Sequence, residues 1–463
     1  MSSTRDLAES GTLYRRAPLA AGMRRPPTVR RAPFTVTRLA DAMIAGLMLV
    51  AVTSMFAVSS AMLTNWKIHY LTNGGGFYEK LHPATYAVAM ASFLLLIRNG
   101  DPFGEINRVL SQSRLVLVYL FCWLCLLVQM FVLERPFTVI IDTFLLPVVL
   151  CLVIWRLSAR HKKWLVWAIH ATILLNIMLG YYEYFSGHRL IPLTLGSVLV
   201  LGEWRASALL GHPLTASGVV AAYVLSLVLR PALCPLIAIR LPLIAVSMGS
   251  LMAFGGRTAL MTVLAILGCL ALVEAFRLFR GKRTSLLVAI VALCVLFVAI
   301  GGIFAALDLG IFDKMLLRFS SDKGSTLARY ATFSLLSHFD WHELILGPSP
   351  VRVSALQSEL GLNYGIENFW VSSTVQFGLV HTALLTIGLV CFFTEVLKRS
   401  SLAAWSIVLL ILMIAASSVS FSSKNIQLAQ FIVLITLLLP SGPRRRPTEA
   451  RPLPHTRYRP LAA

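Results

Sequence analysis

Three polar segments in an otherwise apolar chain hold residues able to do chemistry. Arg205 stands in Glu203-Trp-Arg-Ala-Ser-Ala-Leu-Leu-Gly-His-Pro213, just before an apolar run. Arginine keeps its charge at any accessible pH, and its planar fork of donors suits phosphate oxygens. Arg257 opens another run in Gly255-Gly-Arg-Thr258. The two glycines allow a sharp bend and close approach to a ligand, and a cation at a helix start opposes the helix dipole unless an anion joins it. For both arginines a second reading stays open, a stem that snorkels from the membrane edge to water. The third segment is a polar island, Asp308 to Asn368, with Arg318, Arg329, His338, His342 and Glu343, ending in Glu367-Asn368 at the edge of a further run. At that depth partial burial tunes a carboxylate toward the work of a general base. His338 and His342 would share one face if their stretch were helical, but no third ligand accompanies them.

The elements that must position these residues are membrane spans. Hydrophobic residues make up 57% of the 463 and charged residues only 13%, with mean hydropathy +0.78, far from soluble composition. The expected fold is all-α, a polytopic membrane bundle of about twelve transmembrane helices with one large external loop domain. The runs extend from Ala42–Leu63 through Phe137–Trp155, Leu286–Leu307 and Trp370–Thr394 to Ile426–Leu439, and Pro83–Ile97 and Leu241–Phe254 are short for a crossing. The expected organisation is a basic cytoplasmic tail at 1–38, a membrane domain at 39–440 that includes the external loop 308–369, and a second basic tail at 441–463. No cleavable leader pattern precedes the first run, which is therefore expected to stay in the mature protein.

Most of the 41 Lys and Arg fall on one side when both termini are placed in the cytoplasm, as the positive-inside rule requires. The net charge of +21 is then topological, with the tails resting on anionic lipid, and no nucleic-acid role follows. The seven cysteines lie in or beside apolar runs, and Cys122-Trp-Leu-Cys125 reads as core packing rather than a redox pair. Phosphate-loop, HExxH and GxSxG patterns are all missing from the sequence. Asp142 inside an apolar run is the residue that best fits a different class, a secondary transporter.

In order and context, several short motifs resemble the O-antigen ligase and polysaccharide polymerase superfamily of bacterial envelope enzymes. They are Arg205 with its downstream Gly-His-Pro, Gly255-Gly-Arg-Thr-Ala-Leu, Arg318-Phe-Ser, Ser325-Thr-Leu-Ala-Arg329-Tyr, Leu346-Gly-Pro and Glu367-Asn-Phe-Trp. The resemblance covers roughly residues 200–400, and each motif alone is weak. It implies a metal-independent, inverting glycosyltransferase without cofactor, in the bacterial inner membrane, that uses saccharides carried on undecaprenyl diphosphate. On it Arg205, Arg257 and Arg329 would hold the diphosphate and Glu367 would be the base, with His212, Arg318, His338 and Asn368 in support. Membrane lipid, a flippase and chain-length regulators are the implied partners. Ligases carry histidine beside the asparagine where this chain has Glu367, which favours a polymerase over a ligase.

Overall fold

The computed structural model describes residues 34–441 apart from 73, 196–197, 200–203, most of 282–324, 363–364 and 422. Most of the expected span Leu286–Leu307 and Arg318 therefore lie outside the described residues, as do nearly all of both tails.

Among the described residues the chain is helical except for a two-residue hairpin, Thr194–Leu195 paired antiparallel with Val198–Leu199. Seven helices are long and apolar enough to cross a membrane. They are α1 (34–57; its span begins at Thr37), α5 (Arg114–Val132), α6 (Thr138–Arg156), α7 (Ala159–Ser186), α9 (Ile237–Phe254), α10 (Arg257–Phe279) and α15 (Leu379–Lys398). Four shorter apolar helices accompany them: α3 (Pro83–Ile97), α8 (Pro213–Leu229), α16 (Ala404–Ser417) and α17 (Gln427–Leu438). Two short helices, α2 (Ser60–Asn65) and α4 (Pro102–Ser111), flank α3, and α11 (Ser325–Ser334), α12 (Trp341–Leu346), α13 (Pro350–Glu359) and α14 (Phe369–Phe377) belong to the island and its exit.

Local sequence sets the boundaries. His82 and His212 each cap a helix through Nδ1, which accepts the N–H of Ala84 or Leu214, and each is followed by a proline suited to the first helical position. Gly187 (φ +72°) ends α7 and Gly255 (φ +63°) ends α9 in the left-handed conformation glycine adopts freely. The first run ends at Ala57 rather than Leu63: the His82 ring bonds the Val58 carbonyl and Ser59 caps α2. The run Trp370–Thr394 is likewise broken, at Gly378 (φ +85°), between α14 and α15.

Helices α8 and α17 are buried on nearly every side and form the centre of the bundle. Lipid offers no hydrophobic drive for helices to associate, so close packing of small residues must hold them together. A Cβ at Gly388 would lie 3.5 Å from the Tyr119 Cα, which lets α15 lie against α5. A Cβ at Gly180 would lie 2.6 Å from the Phe254 ring, and one at Gly218 would meet Ile414 and Phe431.

One end of the bundle is a basic rim stitched to carboxylates: Arg98 pairs with Asp41, Arg156 with Glu105, and Arg399 with Glu395 at 2.9 Å. The Arg399 guanidinium also lies 3.9 Å from the Trp155 ring centre.

The island is a small helical unit with its own apolar cluster of Leu335, Phe339, Val353, Leu362 and Ile366, continued by Val371 and Val375 of α14. It docks on the bundle at Gly347 and Gly378, where a Cβ on Gly378 would come within 2.5 Å of the Ile345 carbonyl. Arg135 clamps this contact by donating to the carbonyls of Gln376 and Pro348.

Candidate functional site

The end opposite the basic rim gathers the residues singled out from sequence. Arg205 sits on the loop between α7 and α8, held by a buried carboxylate that sequence reasoning missed. Glu183, 3% exposed near the end of α7, accepts N–H bonds from Leu190 (2.9 Å), Ser207 (2.7 Å) and Ala208 (2.8 Å). These bonds satisfy backbone donors that burial would otherwise leave costly. Its only sequence signal is a lone acid in Tyr181-Tyr-Glu-Tyr184, where an apolar run ends.

The same loop bonds the α9 terminus through the Ala206 N–H to the Ala253 carbonyl at 3.0 Å. The Arg205 stem then lies across Gly255: a Cβ there would meet Arg205 Cγ and Cδ at 2.7 Å. Gly256 fits against Ser217 of α8 just as tightly, with a would-be Cβ 2.0 Å from Ser217 Oγ. Arg257 begins α10 immediately afterwards. The double glycine thus reverses the chain and lets Arg205 approach the turn that presents Arg257.

Glu367-Asn368 reaches the same neighbourhood from the other direction. Asn368 Oδ1 caps α14 by accepting the N–H groups of Trp370 (3.0 Å) and Val371 (3.1 Å), while its Nδ2 donates to the Ala416 carbonyl at 3.3 Å. The next residue of α16, Ser417, meets Thr258 of α10 through their hydroxyls at 3.1 Å. Arg257 and Glu367 therefore each adjoin a residue tied to the same helix end, and Asn368 acts as a positioning residue.

Arg329 Nε stands 3.7 Å from Glu367 Oε2, the carboxylate being 28% exposed. An adjacent guanidinium favours the ionised form, which is the form that accepts a proton. Burial was the expected influence on this carboxylate, and the cation supplied by α11 acts against it.

His338 belongs to the island's scaffold. Its Nδ1 bonds the Ser334 carbonyl at 2.8 Å, and its own carbonyl accepts from Arg352 at 2.9 Å. His338 and His342 do not share a helical face, because the chain breaks at Phe339 and Asp340 starts α12 as a capping box. No group of three metal-binding side chains occurs among the described residues.

His212 caps α8 and borders a cavity beneath the arginine turn, together with Tyr70, His82, Gln427 and Gln430. Asp142 lies beside it, wholly buried in a π turn of α6. It accepts from the Tyr70 hydroxyl (2.8 Å), the His82 N–H (3.1 Å) and the Thr85 hydroxyl (2.6 Å). Lys424, on the loop between α16 and α17, donates to the Tyr70 and Lys80 carbonyls and covers the Tyr70 ring at 4.1 Å. Burial lowers its ammonium to about 8, against the pull of Asp142.

His82 makes this network acid-sensitive. Its Nδ1 accepts and its Nε2 faces the Val58 carbonyl, so the neutral ring is required, and burial lowers its pKa to about 4 from 6.5. The unfolded chain then binds the proton before the folded one does. The stability of the neutral ring is complete above pH 6.5 and is lost as pH falls toward 4, by about 3 kcal/mol at the limit. Melting temperatures of purified protein should drop across that window, and His82→Asn should flatten the drop; an unchanged pH profile would show that His82 does not cause it.

Comparison of the whole chain with protein-family models, curated proteins and solved structures finds no match in any of the three.

Proposed function

We propose that this protein is a membrane glycosyltransferase that polymerises undecaprenyl-diphosphate-linked oligosaccharide repeats on the outer face of a bacterial inner membrane. The observation that carries the reading is the gathering of Arg205, Arg257 and the Arg329–Glu367 pair at the end of the bundle away from the basic rim. The motif resemblance points the same way. Seven long helices, four shorter ones and the apolar run Leu286–Leu307 supply about twelve crossings, which would leave both termini cytoplasmic and the island outside.

In the reaction, an acceptor sugar hydroxyl attacks the donor's anomeric carbon from the face opposite the diphosphate. The new glycosidic C–O bond forms as the bond from the anomeric carbon to the phosphate oxygen breaks, and configuration inverts. The departing electron pair goes to the diphosphate, where Arg205 and Arg257 oppose the growing charge. The hydroxyl proton goes to Glu367, and Arg329 holds the carboxylate ionised until then.

Glu367→Gln tests the assignment, because glutamine keeps the shape but cannot take the proton. Cells carrying it should accumulate single repeat units on the lipid carrier, with polymer reduced about 10²-fold or more, at unchanged protein level in the membrane. Accumulation of finished long chains on the carrier would mark a ligase instead, and normal polymer would remove Glu367 from the chemistry.

A further inference from the structure

The end of the bundle away from the arginine turn holds more cations than it has acids to pair them. Arg156 and Arg108 share Glu105 at 3.7 and 3.6 Å, while Arg399 and Lys398 share Glu395 at 2.9 and 3.7 Å. Arg98 and Arg399 also stand close enough to Arg156 to repel it. The sequence beyond the first and last helices is net basic, with Arg24, Arg25, Arg30 and Arg31 on one side and Arg444, Arg445 and Arg446 on the other. It offers no net counter-charge, and a cleft lined by one sign of charge concentrates the opposite ion.

Two of these guanidinium groups line one cavity. Arg156 ends α6 and Arg399 follows α15; the cavity they share, about 50 Å³, is also lined by Trp155 and by Gln112 and Ser113 of the link from α4 to α5. Arg399 is fixed through Nη2, which donates to the Gln112 carbonyl, the Ser113 hydroxyl and Glu395, and Arg156 turns its Nη2 to Glu105. In both arginines Nε and Nη1 bond nothing among the described residues and are not sealed from water, the side chains being 19% exposed in Arg156 and 31% in Arg399. Anchored forks with donors to spare are suited to phosphate oxygens. At the roughly 10–15 Å³ that one water needs, the cavity takes about four oxygen-sized groups, which matches one phosphate.

The surface around the cavity is apolar. Helix α4 has ten residues, too few to cross a layer of about 30 Å at about 1.5 Å per residue. It buries Glu105 and leaves Phe103, 84% exposed, and Ile106 one turn apart on its open face. Leu402, three residues beyond Arg399, is 85% exposed. Apolar side chains beside basic ones seat a helix at the boundary between headgroups and acyl chains. The positive-inside rule assigns such a rim to the cytoplasmic leaflet, where anionic lipids gather.

We infer that this cavity binds the phosphate of an anionic glycerophospholipid, gripped by Arg156 and Arg399, with α4 lying in the headgroup layer beside it. The site needs only a membrane setting and is independent of the glycosyltransferase reading.

Gln112→Glu is the decisive variant. It changes an exposed side chain at nearly equal volume, so the fold is kept, and it sets a carboxylate at the edge of the cavity. Full-length protein in neutral detergent would be titrated with dioleoyl phosphatidylglycerol or dioleoyl phosphatidylcholine, with bound lipid counted by native mass spectrometry. Phosphatidylglycerol should bind wild type, and Gln112→Glu and Arg156→Gln should each weaken its tightest binding about tenfold or more. Arg280→Gln removes a charge at the far end of α10 and should weaken it by no more than about fivefold, the effect of one surface cation on anionic lipid. Phosphatidylcholine should bind wild type about tenfold more weakly than phosphatidylglycerol, and millimolar inorganic phosphate should not displace the lipid. Absence of phosphatidylglycerol binding, binding indifferent to both cavity substitutions, or equal binding of phosphatidylcholine would overturn the proposal. Displacement by inorganic phosphate would overturn it too, by assigning the cavity to a free anion.

Discussion

Arg257→Ala is expected to lower polymer formation by about 10²–10³-fold, the effect of removing one well-placed donor to a growing negative charge, with membrane abundance unchanged. Arg205→Ala should lose a similar factor. Both side chains would act on one leaving group, so the double variant should fall short of the product of the single losses. Lysine at either position keeps the charge but not the planar fork, and should restore only part of the rate. Gly255→Ala provides an independent check on geometry. It leaves both arginines in the sequence, yet its Cβ would meet the Arg205 stem at 2.7 Å on a backbone with φ +63°. It should therefore reproduce the Arg205→Ala phenotype. Quantifying lipid-linked products from membranes of each variant measures all of this, and near-normal activity in both alanine variants would end the diphosphate assignment.

What sequence could reveal here follows from how local each signal is. The runs expected just after His212, Gly256 and Asn368 do begin there as helices, because those starts are written in adjacent residues. Hydropathy located the apolar helices but not their interruptions. Val58-Ser59 and Gly378 are apolar or small enough to pass as helix, and only the His82 bond to Val58 and the close approach of Gly347 to Gly378 explain why the chain breaks there. The charge logic was still less visible. Asp142 stood out as a carboxylate inside a span, and partners 57 to 72 residues away identify it as a structural hub. Lys424 and Glu183 carry no local signal of the partners they meet, because burial is not written in composition. Arg329 was read as assisting the arginines at the diphosphate, and its contact with Glu367 is one that no local pattern announces.

Asp142→Ala should be the most damaging single change to stability, at about 3–5 kcal/mol, because one buried carboxylate accepts three hydrogen bonds and is attracted by the nearby, partly buried Lys424. The substitution leaves the Tyr70 and Thr85 hydroxyls and the His82 N–H without their shared acceptor, and it strips Lys424 of its counter-charge. Lys424→Met should cost less, since three donors continue to hold the carboxylate and the methionine stem keeps the packing over Tyr70. Combining the two should recover part of the Asp142→Ala loss, because the stranded cation is gone; thermal unfolding in one detergent, read for all three variants, gives that coupling directly. An Asp142→Ala protein that melts with wild type would refute the hub. Solute uptake by proteoliposomes that vanishes with Asp142 and survives Arg257→Ala would favour a carrier. If the hub holds, its consequence reaches the site. Lys424 fixes the loop that leads into Gln427, and Asn425 in that loop donates its N–H to Thr143, the residue after Asp142, at 3.3 Å. Loss of Asp142 should therefore loosen the loop that leads into α17 before it disturbs the arginines above.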